Sequence, residues 1–197
     1  MDSTSSYRES NRARLRLALI RAARDLTVQH GWESVRMVDV ASAVGVSRQT
    51  VYNEFDGRAG LAEALAVSEV QQFAQRIRGE LFARGPDVRA AGYATIVLTL
   101  DEAARNPLVK AVLTSSRGGA DELLPYLTTR SEIVLTEAGE VLREWAAAFL
   151  PGTPPEVTGP AIDAVVRLTV SHIMLPGDTP AATATALADV FVRLLRP

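Results

Sequence analysis

Residues Val38 to Phe55 read VDVASAVGVSRQTVYNEF, and the placing of glycine, serine and apolar residues here decides how the N-terminal part of the chain folds. Met37, Val40, Ala41 and Val44 recur at helical spacing and mark a short helix. Gly45 supplies the positive φ that stops it in a tight turn. Val46 plugs the gap between this helix and the next, and Ala41 is small where the two must approach. Ser47 is a good N-cap for the following helix, Arg48 to about Glu54. Two short helices joined through a glycine turn describe a helix-turn-helix.

The second of these helices offers Arg48, Gln49 and Thr50 in its first turn and Tyr52 and Asn53 one turn later, while Val51 and Phe55 hold it to the body. A recognition helix enters the major groove with residues of this kind at its N-terminal end. Arginine pairs bidentately with guanine and glutamine with adenine, while Thr, Tyr and Asn serve phosphates or bases. Double-stranded DNA is the partner these residues imply.

Outward from this motif the apolar spacing stays helical. Leu15, Leu19, Ala22, Ala23 and Leu26 mark an amphipathic first helix from Asn11 to His30, ended by Gly31. The turn DGRAG, at Asp56 and Gly57, leads into a fourth helix from Arg58 to roughly Gly79. Pro86 and Asp87 open a helix reaching about Arg105, and Asn106-Pro107 opens another ending near Ser116. RGGAD reads as a loop, and Glu122 to Leu150 as helix interrupted near Pro125 to Thr129. PGTPPE breaks the chain before two final helices, about Glu156 to Leu175 and Pro180 to Arg196. The expected architecture is all-α: three short helices followed by about six longer ones. Residues 1–60 form an N-terminal three-helix, helix-turn-helix DNA-binding domain. Residues 61–197 are expected to form a C-terminal helical bundle.

Composition narrows the function. Hydrophobic residues make up 47% of the 197-residue chain and charged residues 22%, which suits a folded globular protein. The net charge of −2 hides an asymmetry: residues 1–60 carry nine arginines against seven acids, a net of +2, whereas the remainder is −4. The absence of cysteine excludes disulfides and thiolate metal sites. Two distant histidines, His30 and His172, make a poor basis for a metal centre or a catalytic triad. No phosphate-cradling Gly-Lys motif or nucleophile–base pair appears, so no catalytic residue, metal or cofactor is expected. The polar start, MDSTSSYRESN, lacks a secretory core, and charges interrupt every long apolar stretch, so the expectation is a cytoplasmic protein with no membrane span.

LIRAARDLTVQHGW, VDVASAVGVSRQTVYNEF and DGRAGLAEAL together resemble the TetR family of transcriptional repressors. The family pattern is met by Ala22-Ala23, Gly31-Trp32, Asp39-Val40-Ala41, Gly45-Val46-Ser47 and Tyr52 with Phe55. The resemblance implies that Thr50 and Tyr52 hold phosphates and that Arg48 and Gln49 read bases, beside Ser47 and Asn53. Arg58 stands where the family usually has lysine and implies a further phosphate contact, aided by its helix N-terminus. Arg8 and Arg12 lie in a polar arm that either reaches a neighbouring groove or backbone or is disordered. Three positions depart from the pattern. Val35 and Arg36 replace threonines, so Asp39 loses its capping-box hydroxyl and Arg36 trades a cap for a phosphate contact. Thr27 replaces an aromatic residue, and Gln49 a residue that is often glycine.

The last two helices are apolar on more than one face, as in a helix buried on more than one side. The resemblance implies pairing through them as a four-helix bundle, with Ile162, Val166, Val170, Ile173, Leu187, Phe191 and Leu194 at a homodimer interface. His172 belongs to this packing rather than to catalysis. Phe73, Tyr93, Val97, Leu100, Leu113, Tyr126, Trp145 and Phe149 are the larger apolar residues of the middle helices. The resemblance implies a cavity among them for an unknown small apolar or aromatic effector. The expected function is a homodimeric, ligand-responsive repressor released from operator DNA by that effector. The alternative is an all-α small-molecule binding protein whose helix-turn-helix is only scaffold.

Overall fold

A computed structural model describes residues 3–105 and 131–196. Among them the chain is helical throughout, with α1 (Ser3–His30), a 3-10 turn at Trp32–Ser34, α2 (Met37–Val44), α3 (Arg48–Phe55) and α4 (Arg58–Ala83). These are followed by α5 (Val88–Arg105), α6 (Ser131–Phe149), α7 (Pro155–Met174) and α8 (Pro180–Leu194). None of these helices is long and apolar enough to cross a membrane. The expected helix from Asn106 to Ser116, the RGGAD loop and the first part of Glu122–Leu150 lie outside the described residues. Two compact units emerge, with the division between Ser68 and Glu69, inside α4.

In the first unit the short elements end where the sequence says they must. Gly45 takes φ 76° in the left-handed region, and the N–H groups of Gly45 and Val46 return to the carbonyls of Ser42 and Ala41. Ser47 accepts the Thr50 N–H at 3.1 Å and so caps α3. Arg36 occupies the N-cap of α2 without a side-chain cap bond. The Thr27 hydroxyl, buried in α1, donates to the Ala23 carbonyl at 2.6 Å, which satisfies a polar group at a site where an aromatic side chain was the alternative. Gly60 is fixed by proximity: a Cβ there would lie 1.7 Å from the Phe55 carbonyl oxygen. The sharp α3–α4 connection therefore needs glycine on its α4 side.

One expectation is corrected. The first helix is not short and does not begin at Asn11; it runs 28 residues from Ser3. The polar arm contains no proline or glycine, and its serines and arginines continue the helical backbone without a break.

The second unit is built around one apolar cluster. Ala74, Ile77 and Leu81 of α4, Ile96 and Leu100 of α5, Trp145 of α6, Ile162 and Val165 of α7, and Leu187 and Phe191 of α8 all belong to it. Trp145 is fully buried and its indole N–H donates to the Gly85 carbonyl at 2.9 Å, bolting α6 to the α4–α5 turn. Phe149 meets Phe82 edge-on at 5.6 Å and flanks Trp145 at 6.3 Å. Arg78 of α4 grips the Glu144 carboxylate of α6 with both terminal nitrogens, and that hydrogen bonding holds the carboxyl below the usual range. Both side chains are well exposed, so this pair orients α6 more than it stabilises it.

Replacing Trp145 with alanine removes the largest fully buried side chain and leaves the Gly85 carbonyl without its donor. Chemical denaturation of Trp145→Ala is expected to show a loss of about 3–5 kcal/mol; a change below about 1 kcal/mol would refute this account of the core.

Candidate nucleic-acid interface and cavity

Val51 and Phe55 are buried, at 0% and 4% exposure, which turns the opposite face of α3 outward. Ser47, Arg48, Gln49 and Asn53 are exposed there, and Thr50 and Tyr52 half-buried. Two side-chain pairs one helical turn apart order this face. Arg48 donates to the Tyr52 hydroxyl at 3.0 Å with its guanidinium 5.0 Å from the ring centre, and the Gln49 amide donates to Asn53 Oδ1 at 2.8 Å. Arg36, Arg48, Tyr52 and Arg58 line one shallow cleft with Glu33, Val35, Met37 and Val38. Three cations and a phenol sharing a cleft suit a phosphate backbone.

Arg58 also has an inward role. Its guanidinium lies 4.9 Å over the Trp32 ring and donates to the Trp32 carbonyl at 2.7 Å. It pins the α1–α2 connection to the start of α4 besides facing the cleft.

Sequence reasoning missed the contacts that hold α3. Glu54 sits on the recognition helix with a side chain only 9% exposed, and it is gripped from α1. Arg12 Nε donates to one carboxylate oxygen at 3.0 Å. Arg16 donates to the other at 3.1 Å and to the Glu54 backbone carbonyl at 3.0 Å, with its guanidinium 4.6 Å over the Phe55 ring. Arg12, expected to reach a groove, is therefore engaged with α3. The signal was present: an acid on a helix meant for a polyanion calls for a cation supplied by the protein itself.

The second unit holds a cavity of about 80 Å³ between α4, α5, α6, α7 and α8. Its walls are largely apolar, with Phe73, Ile77, Ile96, Val141 and Phe191 among them, and its polar lining is Glu69, Thr95, Thr99, Glu137 and Thr169. Of the eight residues the sequence suggested, Phe73 lines it. Leu100 and Trp145 are core, while Tyr93, Val97 and Phe149 pack half-buried against that core, and none of the five lines the cavity. Leu113 and Tyr126 lie outside the described residues.

Residues 19–65 match the model of bacterial regulatory proteins of the tetR family, and residues 87–193 match that of the bacterial tetracyclin repressor C-terminal domain. The chain belongs to the TetR family. It is 32% identical over 191 residues to the HTH-type transcriptional regulator AlkX of Mycobacterium tuberculosis, covering 97% of this chain and 88% of that protein. The crystal structure of the TetR family repressor AlkX from Dietzia sp. strain DQ12-45-1b, implicated in biodegradation of n-alkanes, superposes with a TM-score of 0.69 at 30% identity. That match covers 91% of this chain and 94% of the Dietzia protein. The fatty acid degradation regulator FadR of Bacillus halodurans shares the fold, with a TM-score of 0.55 at 19% identity over 91% of this chain and 98% of FadR.

TetR-family regulators bind operator DNA as dimers, which directs attention to the last two helices. Ile162, Ile173, Leu187 and Phe191 are 1–7% exposed within a single chain, which leaves them little surface to offer a partner. Val166 and Val170 line the cavity. The apolarity of α7 and α8 on several faces is thus largely consumed by the chain's own core and cavity. Leu194, at 41%, does face outward, and so do Leu168, Met174 and Leu175, which the sequence reading did not single out. Ser171 is exposed and His172 half-buried.

Glu54→Gln removes the charge that Arg12 and Arg16 neutralise. We expect about 1 kcal/mol of destabilisation and a lower ratio of operator to non-specific affinity, because two freed cations favour any duplex while α3 loses its brace. Competition binding at fixed salt reads this; an unchanged ratio would show that the clamp has no part in recognition.

Proposed function

We propose that the chain is a homodimeric repressor whose operator affinity is lowered by a small effector with an apolar body. Residues 1–60 act as the DNA-binding domain and residues 61–197 as the effector-binding and dimerisation domain. The observation that carries this reading is the constitution of α4. Its first residue, Arg58, faces the cleft beside the recognition helix, and Glu69, Val70, Phe73, Ala74 and Ile77 further along line the cavity. One helix therefore contributes to both sites. The n-alkane connection of the Dietzia relative is consistent with an aliphatic body for the effector.

Arg48 and Gln49 read base edges, while Arg36, Thr50, Tyr52 and Arg58 hold phosphates and so set register. An effector releases DNA only by binding the non-operator conformation more tightly than the operator-bound one. Specific binding usually exceeds non-specific binding by about 4–10 kcal/mol, so a preference of a few kcal/mol is enough.

Arg48→Ala and Gln49→Ala are each expected to cost about 1–3 kcal/mol of operator affinity and to relax selection at one base position. Selection of bound fragments from the source genome, followed by titration with each variant, measures this. Binding to all selected fragments unchanged by either substitution would instead support a small-molecule binding protein with a vestigial helix-turn-helix.

For the dimer, Leu168 and Leu175 stand seven residues apart, near one face of α7 and its end, with Leu194 exposed on α8. Replacing both Leu168 and Leu175 with glutamate is expected to shift sedimentation from dimer to monomer and to weaken operator binding, because two half-sites are then no longer held together. A double variant that stays dimeric would place the interface elsewhere.

A further inference from the structure

The outward face of α3 carries two rows of polar side chains. Arg48 and Tyr52 line the cleft with Arg36 and Arg58, whereas Gln49 and Asn53 are exposed and line no part of it. Gln49 and Asn53 stand one helical turn apart, and the Gln49 side-chain amide donates to Asn53 Oδ1 at 2.8 Å. That bond takes one of the two amide protons of Gln49. One N–H and the oxygen Oε1 remain for a ligand, side by side on the same planar group.

We propose that Asn53 is a positioning residue: it holds the Gln49 amide in the orientation that reads adenine and refuses guanine. This rests on the base contact assigned to Gln49 above, and goes beyond it by naming the base and the neighbour that selects it. Adenine shows the major groove an N7 acceptor and an N6 donor, which one N–H and one carbonyl oxygen satisfy together. Guanine shows two acceptors, N7 and O6, and calls for donors at both. Held by Asn53, Gln49 has one proton to give, and its Oε1 meets guanine O6 lone pair against lone pair. Released from Asn53, the amide turns about a terminal torsion that is broad and roughly two-fold, and brings its amino group to the guanine acceptors. The discrimination thus comes from a repulsive contact that a neighbour enforces, not from a base contact made by Asn53. Anchoring also reduces the rotamer freedom that a long exposed side chain gives up on docking.

The test uses the full-length protein and randomised duplexes. Selection with the wild type and with Gln49→Ala identifies the base pair that Gln49 reads, which is expected to carry adenine. Two duplexes that differ there alone, A·T against G·C, are then titrated at fixed salt. The wild type is expected to favour the A·T duplex by about tenfold. Asn53→Ala is expected to cut that preference to about threefold or less, chiefly by binding the G·C duplex better. Asn53→Asp keeps an oxygen to receive the Gln49 proton, so it is expected to weaken binding to both duplexes through its charge and to retain the preference. Circular dichroism confirms that each variant is folded. A guanine preference in the wild type, an unchanged preference in Asn53→Ala, relaxation by Asn53→Ala at a different base pair only, or loss of the preference in Asn53→Asp would overturn the proposal. The two readings fail separately. A Gln49→Ala variant that alters selection at no position removes the base contact and the positioning role with it. Relaxation by Gln49→Ala with none by Asn53→Ala removes the positioning role alone.

Discussion

A recognition helix with a carboxylate on it poses an electrostatic problem, and the N-terminal unit is arranged around its solution. An unpaired carboxylate at Glu54 would repel the phosphates of any duplex brought to this helix. Burying it uncompensated would be costly. Arg12 and Arg16 answer both difficulties by donating to the carboxylate from the α1 side, and Arg16 also donates to the Glu54 carbonyl in the last α3 turn and covers Phe55. Because one guanidinium bonds side chain, main chain and ring together, α3 has little freedom to rotate against α1. The face that Val51 and Phe55 leave outward is then the only face available to DNA. The same end of α3 sets the next constraint, since the Phe55 carbonyl lies where any side chain at residue 60 would begin.

The helix-turn-helix was legible because its determinants are local. Gly45, Ser47 and the apolar spacing act within a few residues of themselves, and the structure realises each as a left-handed turn, a cap and a buried face. The clamp was not legible in the same way. Arg16 and Glu54 are 38 residues apart, and nothing in either segment alone specifies the other. The length of α1 was misjudged for a related reason: a polar arm without an apolar stripe gives no periodic signal, although nothing in it breaks a helix.

The middle and last helices show a different failure, rooted in volume. A cavity is space that large side chains have not filled, so choosing the largest aromatic residues selects those that close gaps. Trp145 and Phe149 do this around Gly85 and Phe82. The lining comes instead largely from valines, alanines, threonines and two glutamates that look unremarkable in sequence, with Phe73 and Phe191 as its aromatic members. Likewise, a helix apolar on every side can be covered by its own chain or by a partner. Pattern alone does not separate Ile162, at 1% exposure, from Leu175, at 77%.

The size of the cavity bears on how binding becomes motion. About 80 Å³ is room for a handful of waters. A guest small enough to leave the cavity walls in place shifts an equilibrium only if another conformation of the site binds it differently. A guest with a tail must instead part the helices around it, and α4 forms one of those walls with five of its residues. The near end of α4 is held by Arg58 on Trp32, beside the cleft that Arg48 and Tyr52 share. In the proposed repressor, displacing α4 would strain the Arg58–Trp32 contact.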